Sequence, residues 1–279
     1  MSFKAVAWTL LAALALAGIL LLNYWGSYQP LSTLAYLGIV LALSGLANLA
    51  FPFRFLGIRK RVVGAIVLLA GVGVAFGALL WPAPMFRVAQ HRTVLDAAVP
   101  EYQFFEWHST RVHARPEEVM QAVRESTFGD MKSLDTLLKI RAAALRIPDR
   151  DNGVFSHDKR ILDMFAASGF ISGGSDHEVV MCMAANVREK RRLELHSLQE
   201  CGDYREPGAF KMAFTLYVEE DGEGWSTLIT ETRVMVLDEA TRRGMGRYWR
   251  LIVPGSGLLR IQWLEGIKKR AERMPNPRS

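Results

Sequence analysis

Two pairs of side chains in this sequence are spaced for chemistry. Glu231 and Arg233 stand two apart in the run Trp225–Leu237, which is rich in Thr, Val and Ile and reads as a long β-strand. Period-two alternation puts both on one face, together with Trp225, Thr227, Ile229, Met235 and Leu237. On a concave apolar face, a carboxylate beside a guanidinium would orient the polar head of a ligand. The plainer role is an ion pair fixing a terminal helix to the sheet. Glu106 and His108 are spaced in the same way within Tyr102–His113 and form a candidate acid/base pair. For them, and for His91, His113, His157, His177 and His196, hydrogen bonding within the fold is the plainer role.

The sequence has no GxSxG nucleophile motif, and Ser256 in Pro254-Gly255-Ser256-Gly257 reads as a helix cap. Arg260, one turn on, reads as structural. Cys182 and Cys201 form no CxxC and no Cys/His cluster at metal-ligand spacing. We therefore assign no catalytic residue, no metal site and no cofactor from the sequence. If their domain is exported, the two cysteines could be oxidised. Bonding needs Cα atoms about 4.4–6.8 Å apart, which sequence spacing cannot establish.

These residues must be positioned by the second part of a sharply divided chain. From Ala5 to Phe53, and again from Val62 to Phe86, there is no Asp, Glu, Lys or Arg. Segments at about 5–25, 31–51 and 62–81 each reach the roughly 20 apolar residues that span a bilayer. Pro30 ends the turn between the first two, so those spans should be antiparallel. The net charge of +6 suits nucleic acid at first sight. Its location argues otherwise. Five basic residues and no acidic one precede residue 87, whereas the remainder carries 29 basic against 28 acidic residues. The excess marks topology, not a nucleic-acid face. The link 52–61, with four basic residues, and Lys4 should be cytoplasmic. Three spans then leave the C-terminal domain outside the cytoplasm, in a multi-pass inner (plasma) membrane protein. No ionisable residue lies within a span, which disfavours transport. Gly73 and Gly77 make a GxxxG pair suited to packing against the chain's own spans, or to self-association.

Beyond about Pro100 the pattern is mixed. A strand over Tyr102–His113 leads into a helix that starts at Pro116-Glu117-Glu118. Helices are predicted near 133–145 and 158–168. Strands are predicted at Glu178–Val187, Leu193–Glu200, Phe210–Val218 and Trp225–Leu237. A terminal helix begins after Asp238, is interrupted at Pro254-Gly255 and resumes to about Ala271. On the third strand Phe210, Met212, Phe214 and Leu216 share a face, and Leu259, Trp263 and Ile267 should meet them from the helix. The arrangement is α+β, with one helix set in the concavity of a curved antiparallel sheet.

On these features the chain resembles the SRPBCC superfamily, the helix-grip fold of START lipid-transfer domains and polyketide cyclases. It is similar in particular to bacterial domains of that group with no assigned function. The resemblance rests on Phe105-Glu106-Trp107-His108-Ser109 followed by Ala114-Arg115-Pro116-Glu117-Glu118-Val119. It rests also on Gly169-Phe170, Glu206-Pro207-Gly208, Thr230-Glu231-Thr232-Arg233-Val234, Tyr248-Trp249, and Pro254 to Arg260. It implies a hydrophobic pocket between sheet and helix, and no single chemistry, because this fold hosts binders, carriers and enzymes.

The expected organisation is therefore a transmembrane region 1–86, a linker 87–99, a helix-grip domain 100–273 and a tail 274–279. The expected function is non-enzymatic binding of a hydrophobic small molecule or lipid by Trp107, Phe210, Met212, Phe214, Leu216, Glu231, Arg233, Leu259 and Trp263. The alternatives are a structural or assembly protein with a closed core, and an enzyme acting on a hydrophobic substrate.

Overall fold

The computed structural model describes residues 30–50, 61–131 and 158–274. The predicted first span, most of the basic link, the helix predicted near 133–145 and the last five residues lie outside them. The chain divides into two compact units. One comprises Met1–Ala83 with Arg243–Pro254, the other Pro84–Arg242 with Gly255–Ser279.

In the first unit, α1 (Pro30–Ala50) and α2 (Arg61–Leu80) are both long and apolar enough to cross a membrane. Pro30 opens α1 at the position where a missing amide costs nothing. Small residues bring the two backbones together. A Cβ at Gly38, Gly45 or Gly71 would run into the backbone of Ala75, Leu68 or Ala42. The glycines that seat α2 on α1 are thus Gly64 and Gly71. Gly73 and Gly77, expected to do this, have no described atom within 4 Å of a Cβ placed on them. The outer faces are apolar, with Ile66, Leu69 and Phe76 all exposed.

The second unit is built on a six-stranded, wholly antiparallel sheet. Its strands are β3 (Phe104–Val112), β4 (Ile171–Ser175), β5 (Glu178–Asn186), β6 (Arg191–Arg192), β7 (Ala209–Gly222) and β8 (Trp225–Val236). The order is β3-β8-β7-β5-β4, with β6 on β5. The β7–β8 turn needs three successive left-handed residues, and Gly222, Glu223 and Gly224 provide them. Between β3 and β4 come α4 (Pro116–Glu125) and α5 (Ile161–Ala167). The α4 amphipathic face buries Val119, Met120, Ala122 and Val123, and its start is held by Glu118, which accepts from the Arg115 amide.

Three predicted stretches of this unit take a different form. The stretch 87–99 is no free linker: β1 (Phe86–Arg87), α3 (Val94–Ala98) and β2 (Glu101–Tyr102) build it into the domain. The buried Glu178 carboxylate accepts from the amides of Val94 at 2.7 Å and Leu95 at 3.2 Å, satisfying donors at the α3 N-terminus. Next, the strand expected over Leu193–Glu200 gives way to α6 (Leu198–Asp203). Ser197 caps that helix by accepting from the Glu200 amide, and Glu200 accepts from the His196 amide. This reciprocal capping outweighs strand propensity. Finally, α7 (Glu239–Ala271) runs unbroken for 33 residues through Pro254. Proline removes one amide donor. Trp249 and Val253 before it, and Trp263, Leu264 and Ile267 after it, are all buried, and their packing offsets that loss.

Candidate functional site

The two faces of β8 carry different chemistry. Glu231 and Arg233 point to the face covered by α3. Arg233 is 5 % exposed, and its guanidinium bonds Asp96 at 2.8 Å and Glu231 at 2.6 Å. It also donates to the carbonyl of Val99 and lies 4.8 Å from the centre of the Tyr102 ring. Burial works against the Arg233 charge, but the two carboxylates overcome it and hold the pKa above its ordinary value. Asp96 is raised by burial, then brought below the ordinary carboxylate range by the amides of Arg92 and Thr93 and by Arg233. This is a saturated structural clamp. It fixes the segment after the apolar helices onto the sheet, not the terminal helix as expected. Trp107, 43 % exposed, is paired across the strands with Glu231 and so belongs to this face, away from Phe214 and Trp263.

The opposite face meets the second half of α7. There Phe214, Leu216 and Trp263 are buried in the main core, with Met212 and Leu259 packed against it. Phe214 lies 4.7 Å from Phe165, 5.8 Å from Phe170 and 5.9 Å from Trp263, centre to centre. The interior is solid at this level. It loosens toward the start of β7, where Phe210 and Met212 are only half-buried although their strand parity matches Phe214. Two surface depressions lie elsewhere: one of about 900 Å³ along residues 191–206, and one of about 610 Å³ beside Asp130 and Lys269. Neither is an enclosed apolar cavity between sheet and helix.

Level with Phe214 and Leu216, a polar cluster is buried under α7. Antiparallel pairing sets Glu106 opposite Thr232 and His108 opposite Thr230. Glu106, 1 % exposed, uses both carboxylate oxygens. One accepts from the Nε2 of His108 at 2.9 Å, the other from the Oγ of Ser256 at 2.6 Å. The predicted Glu106–His108 pair is therefore joined. Ser256 is not a helix cap but a donor from within α7. The histidine reaches the carboxylate and not the hydroxyl, so the three do not form a nucleophile–base–orienter relay. Arg260 donates through Nη2 to the hydroxyl of Thr232 at 3.0 Å. Its guanidinium stacks 4.5 Å from the Phe214 ring centre and 5.4 Å from that of Trp263. Burial pulls the Arg260 pKa down to about 10, against the opposing pull of Glu106. Among the described residues, Arg260 Nη1 and the hydroxyl of Thr230 are buried without a partner.

Thr230, Thr232 and Arg260 escaped the sequence reading as site residues. Strand alternation offers two sets on β8, and both faces of that strand are covered. Polarity then cannot say which set faces the helix. The available signal was the helix: Ser256 and Arg260 are four apart and so share a face. Comparisons with protein families, with curated proteins and with solved structures find no match to this chain.

Proposed function

We propose that this chain is a membrane-tethered binding domain of helix-grip type, whose ligand is a hydrophobic small molecule or lipid carrying a hydrogen-bond acceptor. The apolar part would lie at the looser end of the interior against Phe210, Met212 and Leu259, and the polar head at Arg260, which bonds Thr232 in the row next to that of Met212. One observation carries this reading: a guanidinium nitrogen of Arg260 is buried without a described partner, and so is the hydroxyl of Thr230, two strand residues from the Thr232 that Arg260 bonds. Buried donors left unpaired are costly, and an acceptor brought by a ligand satisfies them. The antiparallel sheet closed by the second half of α7 is the arrangement that the helix-grip reading calls for. The two apolar helices support membrane tethering.

Native mass spectrometry of the detergent-extracted full chain tests the reading. A co-purified mass is expected in the wild type. It should be lost in Arg260→Gln while the melting temperature stays near that of the wild type. No bound mass in the wild type would sink it. A second reading, an assembly module with a closed core, is favoured by the solid packing of Phe214 against Trp263, and that outcome would leave it standing.

We further infer that the domain lies outside the cytoplasm. The basic residues at 52–61 support this orientation, as does the disulfide between Cys182 on β5 and Cys201 on α6, whose Cα atoms are 6.5 Å apart.

A further inference from the structure

The first half of α7 does work that the binding-site reading leaves unexplained. Residues Arg243–Pro254 belong to the same compact unit as the apolar helices. Arg250 is 5 % exposed and donates to the carbonyls of Leu79 at 2.7 Å and Trp81 at 2.6 Å. These lie at the C-terminal end of α2, where helix carbonyls lack intrahelical partners and the helix dipole is negative. The hydroxyl of Tyr36, in the second turn of α1, donates to the carbonyl of Leu251. This part of α7 is therefore seated at the end of the apolar hairpin, which is the boundary between hydrocarbon and headgroups if the hairpin spans a bilayer. The side chains around the joint match that boundary. Leu80, Trp81 and Leu251 are exposed, at 59 %, 64 % and 40 %.

Arg243, Arg247 and Arg250 follow at i, i+4 and i+7, so they form one stripe along α7. Arg250 is the inner member and is seated on α2. Arg247, whose Nε donates to the carbonyl of Arg243, and Arg243 are exposed. Four residues of helix rise about 6 Å, so Arg247 stands about 6 Å or less above the Leu251 level however α7 is tilted. The headgroup layer is about 5–7 Å deep on each side of the hydrocarbon. With α7 level with or rising from the boundary at Leu251, Arg247 therefore falls within that layer.

We propose that Arg243 and Arg247 form a recognition stripe for the phosphates of anionic phospholipids at the membrane surface. The guanidinium fork suits phosphate oxygens, and the aromatic and aliphatic neighbours suit the acyl boundary. This rests on the membrane-tethered part of the reading above and not on the ligand site.

The full chain, reconstituted in vesicles of phosphatidylcholine with phosphatidylglycerol, tests it. Single cysteines at Leu69→Cys, Arg247→Cys and Glu220→Cys would carry spin labels, with the native disulfide intact. The label at 69 should be accessible to oxygen, that at 220 to a water-soluble relaxant, and that at 247 should report headgroup depth. A label at 69 in water would refute the membrane reading itself. A label at 69 in lipid, with 247 as water-accessible as 220, overturns the stripe alone. The charge requirement is read separately from the unsubstituted arginines. Phosphatidylglycerol should raise the melting temperature over phosphatidylcholine alone. The rise should be lost in the double variant Arg243→Gln/Arg247→Gln and kept in Arg243→Lys/Arg247→Lys. An equal rise in all three chains, or none in the wild type, also overturns it.

Discussion

At the scale of single residues, the interior asks different things of neighbours on one strand. Phe214 is fully buried among three other aromatic rings, and Met212, two residues earlier on the same face, is half-buried. Phe214→Ala should therefore cost about 3–5 kcal/mol, the usual loss for a packed aromatic. Met212→Ala should cost clearly less, because part of its surface is already open, while reducing any co-purified ligand more than it reduces stability. Melting temperature and bound mass, measured on the same preparations, separate the two. Lys211 makes a prediction of another kind. Its side chain is 2 % exposed on the opposite face of β7, with its ammonium on the carbonyl of Gly202. Burial, reinforced by Arg205, brings its pKa down to about 8 from 10.5. Between those two values the unfolded chain holds the proton and the folded chain does not, so stability should rise with pH across that window. Lys211→Met should flatten that rise, and melting curves taken at intervals through the window check it.

At the scale of elements, the glycines of the apolar hairpin are not interchangeable. Gly71 sits against the backbone of Ala42, whereas Gly77 has open space beside it among the described residues. Gly71→Leu should force the helices apart and cut the yield of folded chain, and Gly77→Leu should be tolerated within the hairpin. If Gly73 and Gly77 mediate self-association, Gly77→Leu should instead shift the oligomeric state in detergent, read by light scattering. Sequence alone could not choose between these glycine pairs. Helical spacing gives the angle around an axis but not the partner's direction, and all four are small residues in an apolar run. The elements themselves were legible to different degrees. The two described apolar helices fall within a residue of the limits predicted for them, because a run of some twenty residues without charge has sharp ends. β3, β5, β7 and β8 were legible from alternation and turn residues. α6 was not, since Leu193–Glu200 is short and its helix is set by the Ser197 and Glu200 caps. The continuity of α7 was hidden for the opposite reason. Local signals at Pro254 argue for a break, and only the burial on both sides overrides them. Of the site, the Glu106–His108 pair and the Phe214–Trp263 face were visible from spacing. The role of Arg233 was not, because its partner Asp96 is far away in sequence.

At the scale of the whole molecule, if the apolar helices tether the chain to a membrane as proposed, two independent features bear on which side the domain occupies. Basic residues flank the spans asymmetrically, with five before residue 62. They act during insertion. The cysteine pair acts later, and through redox chemistry. Cys182 and Cys201 are both fully buried and stand 19 positions apart in the chain. A bridge closing a loop of that size removes unfolded-state entropy worth about 3 kcal/mol. In a reducing cytosol the thiols would stay free and this contribution would be absent. An exported domain gains it without further provision. Cells expressing the full chain should therefore yield a protein in which both cysteines resist alkylation under denaturing conditions until a reductant is added. A C-terminal alkaline phosphatase fusion should be active in the same cells, and a C-terminal fluorescent-protein fusion dark. The double variant Cys182→Ser/Cys201→Ser should melt at a lower temperature than the oxidised wild type, and reductant should no longer change its melting point. Two freely alkylated cysteines in a bright, phosphatase-inactive fusion would place the domain in the cytoplasm. Oxidised cysteines with an inactive phosphatase would mean that the bridge forms without export, and both the redox and the charge argument for orientation would give way.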